Sequence, residues 1–146
     1  MSEKPVRLGR ADFRLFRTIP TRWADNDVFG HVNNVIYYNW FDTVVNAWLI
    51  EQGFLDVNES KVVGLVVGTR CDYFESVAFP EVVEGALAVE KLGRSSVTYR
   101  IGIFRQGGEL TAAQGLFTHV YVERGPQTPV PIPAKLRAAM AEIGVG

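Results

Sequence analysis

Apolar residues recur along the chain in two different rhythms. Between Asn34 and Gly53 they stand at Ile36, Trp40, Val44 and Trp48, and again at Tyr37, Phe41, Val45 and Leu49. Both sets step by about four residues, the spacing of a helix. Asn39, Asp42, Thr43 and Asn46 make its only polar stripe, so the helix is apolar around most of its circumference and something must wrap around it. Asn33 can cap its start and Gly53 can end it. From Lys61 onward the rhythm becomes that of strands. "KVVGLVVGTRCDYF" is rich in β-formers, "EVVEGALAVEKL" alternates at Val83, Gly85, Leu87 and Val89, and "SVTYRIGIFR" alternates at Val97, Tyr99, Ile101 and Ile103. "ELTAAQGLFTHVYVER" reads as a longer strand with a glycine inside it. The turn signals "LGRSS" and "QGGE" separate the last three of these. Ahead of the helix, "DFRLFRTIPTRW" alternates at Phe13 and Leu15 and, after a slip at Arg17–Thr18, at Ile19, which predicts a strand over 13–23. The Pro-rich stretch "PQTPVPIPAKLRAAM" predicts a connector and a short last helix from near Pro133.

The order strand, long helix, four strands, short helix predicts an α+β fold. In it an antiparallel sheet of about five strands, four of them consecutive and connectable by hairpins, curls around one apolar helix. Such a sheet keeps exposed edges and a second face, so self-association into at least a dimer is expected. With 146 residues the chain reads as one domain spanning 1–146, its ordered core over about 13–140. A net charge of −1 and a pI near 6.1 give no footprint for nucleic acid. No run of about eighteen apolar residues predicts a membrane helix. The start, "MSEKPVRLGRADFR", lacks the apolar centre of a signal peptide. The single cysteine, Cys71, fits a reducing compartment, so the cytoplasm is the expected location. Cys71 could pair with His31 or His119 as a nucleophile. Its context, "VVGTRCDYF", reads more simply as a small apolar filler in a strand.

The densest polar cluster, "ADNDVFGHVNN", stands directly before the helix. Each residue has a structural and a chemical reading. Asp27 suits a turn near a helix N-terminus, and Asp25 can bond the loop backbone. Gly30 permits a positive φ or a close approach of ligand. His31 can exchange protons or hold the loop, and Asn33 and Asn34 can cap. Together they also offer a site. A helix N-terminus carries unpaired N–H groups and partial positive charge, which suit a developing oxyanion. A carboxylate a few residues upstream can serve there as nucleophile or as base for water.

"RWADNDVFGHVNNVIYYNWFDTV", with its D-x-D-x-x-G-H-V-N-N-x-x-Y pattern, resembles the active-site loop and central helix of hotdog-fold thioesterases of the 4-hydroxybenzoyl-CoA thioesterase-like branch. The resemblance continues through "LGRSS", "GGELTAAQGLFTHVYV" and "PVPIPAKLR" and covers roughly 13–140. It implies a hotdog fold and hydrolysis of an acyl-CoA thioester without metal or other cofactor, coenzyme A being part of the substrate. It also implies dimers, often paired into tetramers, with the site at the subunit interface. By resemblance Asp27 is the catalytic carboxylate, Asn34 supplies the N–H that polarises the carbonyl, and His31 is the histidine of the G-H-V-N-N variants. Plant acyl-carrier-protein thioesterases carry an Asn two residues before that His, where this chain has Phe29. Some bacterial members carry a His where this chain has Asn34. For the CoA phosphates the "LGRSS" turn offers Arg94 with Ser95 and Ser96, ahead of Lys91 and Arg124. As an exposed hairpin arginine, Arg94 would need no such role. Tyr37, Phe41 or Val66 could lie against the acyl group. Two other readings compete. A hotdog dehydratase or hydratase uses a D-x-N-P-x-H-like segment, and no proline stands between Asp27 and His31. A non-catalytic acyl-CoA-binding protein would not need the carboxylate of Asp27.

Overall fold

The computed structural model describes residues 5–145; residues 1–4, the start of the charged N-terminal stretch, and residue 146 lie outside the described residues. Strand β1 (Leu15–Pro20) is followed by helix α1 (Asn34–Glu51), strands β2 (Val62–Tyr73), β3 (Val82–Leu92), β4 (Ser96–Arg105) and β5 (Ala113–Glu123), and helix α2 (Ala134–Glu142). The five strands form one antiparallel sheet in the order β1-β3-β4-β5-β2, curled about α1: the hotdog architecture.

Two expectations need correction. β1 ends at Pro20, not at Trp23, because the chain turns into a short 3₁₀ segment over Trp23–Asp25. The buried Asp25 carboxylate takes the Arg22 N–H at 2.7 Å and locks that turn. The four later strands are also not all joined by hairpins. Only β3, β4 and β5 follow one another in the sheet; β2 lies on the far edge against β5. β3 already has β1 on one side and β4 on the other, so no edge is left for β2. Residues 74–81 therefore cross the end of the sheet, with Val77 fully buried and its carbonyl accepting the Val32 N–H at 2.7 Å.

Helix α1 buries Tyr37, Trp40, Phe41, Val44, Val45, Trp48 and Leu49. On the facing strands Val97, Tyr99, Ile101 and Ile103 of β4 are fully buried, as the period-two pattern requires. Two glycines let helix and sheet close to contact. A Cβ on Gly85 would stand 2.4 Å from Val44 Cγ2, and one on Gly115 would stand 2.7 Å from Phe41 Cε2 and 1.8 Å from the Arg70 carbonyl oxygen. A bulge between Val66 and Gly68 shifts the register of β2 by one residue. Beyond it Thr69, Cys71 and Tyr73 stand opposite Phe117, Gly115 and Ala113. On the sheet's other face the N-terminal segment lays Leu8 and Phe13 over Ala86 and Phe104. α2 joins the main core through Leu136 and Met140.

Candidate active site

The helix N-terminus, the loop before it and the crossover after β2 meet at one end of the sheet. The loop is a small hairpin. The Asp27 N–H donates to the His31 carbonyl at 2.9 Å, and the Gly30 N–H to the Asp27 carbonyl at 3.1 Å. Gly30, at φ +81°, supplies the left-handed third position that such a three-residue loop needs. Asn26 and Val32 bridge its base. The Asn26 side chain accepts the Phe79 N–H at 3.0 Å, tying the loop to the crossover.

The two aspartates have parted roles. Asp25 is 1% exposed, and Oδ1 accepts from Arg22 Nε at 3.0 Å and Nη2 at 2.8 Å, besides the backbone bond to Oδ2. Its carbonyl takes the Asn33 N–H at 2.9 Å. Its bonding is thus wholly within the loop framework. Asp27 is half-buried, and Oδ1 accepts the Phe29 N–H at 2.9 Å. Its other oxygen has no hydrogen-bond partner among the described residues. At the helix itself, Asn33 Oδ1 caps the Val35 N–H at 3.1 Å, and the Ile36 N–H donates to the Asn33 carbonyl at 2.9 Å. The Asn34 N–H between them has no acceptor among the described residues, as a first-turn donor would not.

A cleft of about 250 Å³ opens beside this helix end, lined among others by His31, Asn34, Tyr37, Tyr73, Phe74 and Glu75. Tyr37 and Tyr73 meet edge to face at 5.0 Å between ring centres. The Tyr73 hydroxyl donates to the Asn34 carbonyl at 3.0 Å, fastening the first turn of the helix to β2. Burial pushes the Tyr37 phenol up to about 12 and holds that of Tyr73 well above its ordinary range, so both are neutral near pH 7. Tyr73, Phe74 and Glu75 carry no signal in the sequence: they look like the end of a strand, and only the crossover brings them to the helix.

Of the residues singled out from the sequence, His31, Asn34 and Tyr37 line this cleft, while Asp27 and Gly30 stand in the loop that leads into it. Phe41 is fully buried beneath Gly115, and Val66 is half-exposed on the β2 edge. Arg94, Ser95 and Ser96 sit at the β3–β4 turn, at the opposite end of the sheet. β4 alone separates the two ends by roughly 30 Å at about 3.3 Å per residue. Within one protomer the turn does not share the cleft. Cys71 packs against the core, with the Asp72 carbonyl 4.0 Å from its Sγ and the Tyr73 hydroxyl as a further neighbour, and burial pushes its thiol up to about 11. His119 is buried on β5, its Nδ1 without a partner among the described residues. No imidazole among the described residues bonds the thiol, so the Cys–His reading has no geometry behind it. Among the described residues no three His, Cys, Asp or Glu side chains gather to hold a metal ion, and no helix is long and apolar enough to cross a membrane.

This architecture recurs in known proteins. The PA5185 protein of Pseudomonas aeruginosa PAO1 is 50% identical, with a TM-score of 0.92 over 95% of this chain and 97% of that one. A DHNA-CoA thioesterase of Staphylococcus aureus shares the fold with a TM-score of 0.78, at 23% identity over 88% of this chain and 89% of that one. YsmA of Bacillus subtilis is 25% identical over 96 residues, 66% of this chain and 65% of YsmA's own length. A family profile described as the thioesterase superfamily matches residues 29–112, more than half of the 146, beginning two residues after Asp27 and ending before β5. The chain belongs to the thioesterase superfamily.

Proposed function

We propose that the protein hydrolyses acyl-CoA thioesters, with Asp27 as the reacting carboxylate and the Asn34 N–H as carbonyl donor. The observation that supports this reading is that a carboxylate oxygen of Asp27, in the loop leading into the helix, and the Asn34 N–H at the helix start both lack partners among the described residues, and that Asn34 lines an aromatic-walled cleft. The N–H and the helix dipole favour negative charge on the carbonyl oxygen as it is attacked. Asp27 either attacks the carbonyl carbon, giving a mixed anhydride that water then cleaves, or takes a proton from the attacking water. In both routes the C–S bond breaks and the CoA thiolate leaves, to be protonated to the free thiol. His31, exposed at the cleft rim, is available to that proton. The S. aureus neighbour's name, DHNA-CoA thioesterase, agrees with a CoA ester as substrate.

The working unit in this reading is a homodimer. β2 leaves a free twelve-residue edge, on which Val66 and Val67 are exposed, and the loop tip exposes Val28 and Phe29. Apolar side chains grouped beside an unpaired edge suit burial by a second copy. Antiparallel pairing of two β2 edges about a two-fold axis sets the turn end of one protomer beside the cleft end of the other. The partner subunit's Arg94, with its Ser95 and Ser96, then becomes the phosphate-binding group for a thioester held at Asp27.

The test is thiol release from a panel of CoA thioesters (acetyl, short to long aliphatic, benzoyl and 4-hydroxybenzoyl) by wild type and Asp27→Asn. The substitution keeps shape and removes basicity, so kcat is expected to fall on the order of 10²-fold or more. A near-normal rate in purified Asp27→Asn would exclude the assignment.

A further inference from the structure

The β3–β4 turn is held on all sides through its backbone. The Gly93 N–H donates to the Ser96 carbonyl at 2.7 Å, and the Tyr121 N–H donates to the Ser95 carbonyl at 2.7 Å. The Arg94 carbonyl accepts the Ile132 N–H at 2.9 Å. Arg137, on α2, completes the arrangement: Nη2 donates to the Gly93 carbonyl at 2.6 Å and to the Arg94 carbonyl at 2.8 Å. α2 is a firm base for this contact, because its neighbouring Leu136 is 2% exposed and Met140 fully buried. Arg137 takes part in no ion pair among the described residues; its side chain donates to these two carbonyls. The polar side chains of the turn behave in the opposite way. Arg94 is exposed, Ser95 and Ser96 are half-buried with the Ser96 hydroxyl lying against Gly93, and none of the three side chains makes a hydrogen bond to any described residue. A turn whose backbone is immobilised while its polar side chains stay free is built to present them.

We infer that Arg137 is a positioning residue for anion recognition. It fixes the 93–96 turn so that Arg94, Ser95 and Ser96 meet the phosphates of the CoA nucleotide without having to be ordered on binding. The inference rests on the proposed acyl-CoA reading of that turn. It lies outside the span matched by the family profile, which ends at residue 112. If Arg137 served only to staple α2 to the sheet, its loss would affect stability and all substrates alike. If it positions the turn, its loss acts only on ligands that carry the nucleotide phosphates.

The experiment compares wild type, Arg137→Met, Arg137→Lys and Arg94→Ala on an acyl-CoA and on the matching acyl-pantetheine, which lacks those phosphates. Free CoA and pantetheine are titrated calorimetrically into the same chains, so the comparison stands without turnover, and melting curves check that each variant is folded. Arg137→Met is expected to raise KM for acyl-CoA about threefold to tenfold, the scale of returning one ordering step to the binding event. kcat and the acyl-pantetheine KM stay unchanged, and Arg137→Lys recovers part of the loss. An Arg94→Ala effect without an Arg137→Met effect overturns the positioning role and leaves the phosphate-binding reading intact. An Arg137→Met effect of equal size on both substrates marks a merely structural residue and also overturns the inference. Indifference of CoA binding to Arg94→Ala removes the phosphate-binding turn, and the inference with it.

Discussion

His119 allows a test of the core that needs only pH and denaturant. The residue is 2% exposed on β5, its ring packed edge to face against Tyr99, Phe117 and Tyr121, and Nδ1 has no partner among the described residues. Burial lowers its pKa from 6.5 to about 4. Between those values the unfolded chain holds a proton that the native chain excludes. Stability therefore falls as pH drops from about 6.5 towards about 4, and this group has no effect on it above 6.5. A gap of about 2.5 between the two pKa values corresponds to about 3 kcal/mol, a large share of the roughly 5–15 kcal/mol that holds a typical domain together. The perturbation is His119→Leu, similar in volume and unable to titrate. Urea unfolding, followed by tryptophan fluorescence at fixed protein concentration, gives the stability of both chains from pH 7.5 down to 4.5. The carboxylates titrate in both, so only the difference between the chains reports His119. That difference is expected to be flat above pH 6.5 and to move in favour of the leucine variant by about 2–3 kcal/mol at pH 4.5. Parallel stability profiles over the whole range, or an imidazole NMR titration centred near 6.5 in the native protein, would refute the burial argument.

Other expectations follow from single contacts. Gly115→Ala puts a methyl group 1.8 Å from the Arg70 carbonyl oxygen and 2.7 Å from Phe41 Cε2, so it should cost about 3 kcal/mol in urea unfolding; a neutral result would mean that α1 does not sit this close to β5. Asn33→Ala removes the side-chain cap on Val35 and should cost about 1 kcal/mol, read by the same assay. Cys71, its thiol pushed up to about 11 mainly by burial, should react with a disulfide reagent at pH 7.5 roughly 10²-fold more slowly than a free thiol; fast labelling would contradict its packing.

The central helix was fully legible in the chain. Its spacing of four, its cap at Asn33 and its narrow polar stripe are local properties, and α1 runs from Asn34 to Glu51 as they require. The alternation of β3 and β4 was equally plain, because each of those strands turns one side to the helix along most of its length. The turns at 93–95 and 106–108 carry their own glycine signals. The presence of a carboxylate, a glycine and a pair of asparagines before a helix start could also be read directly, and so could the family resemblance from which their proposed roles come.

Strand order was not legible. Nothing local in "KVVGLVVGTRCDYF" tells β2 that β3 has no vacant edge; that is a property of the assembled sheet. Its bulge between Val66 and Gly68 likewise appears only in the pairing with β5, yet it decides which β2 side chains stand opposite which residues of β5. The wall of the cleft followed from the same fact, since Tyr73 and Phe74 reach the helix end only because the chain crosses there from one sheet edge to the other. The separation of Asp25 from Asp27 is different in kind: it is a local outcome, set by Arg22 three residues ahead of Asp25, that residue types alone did not announce. Sequence by itself determined the elements and the residue types available for chemistry, because periodicity and capping act over a few residues. Tertiary structure alone decided which of those residues share a cleft, because that depends on contacts between segments far apart in the chain.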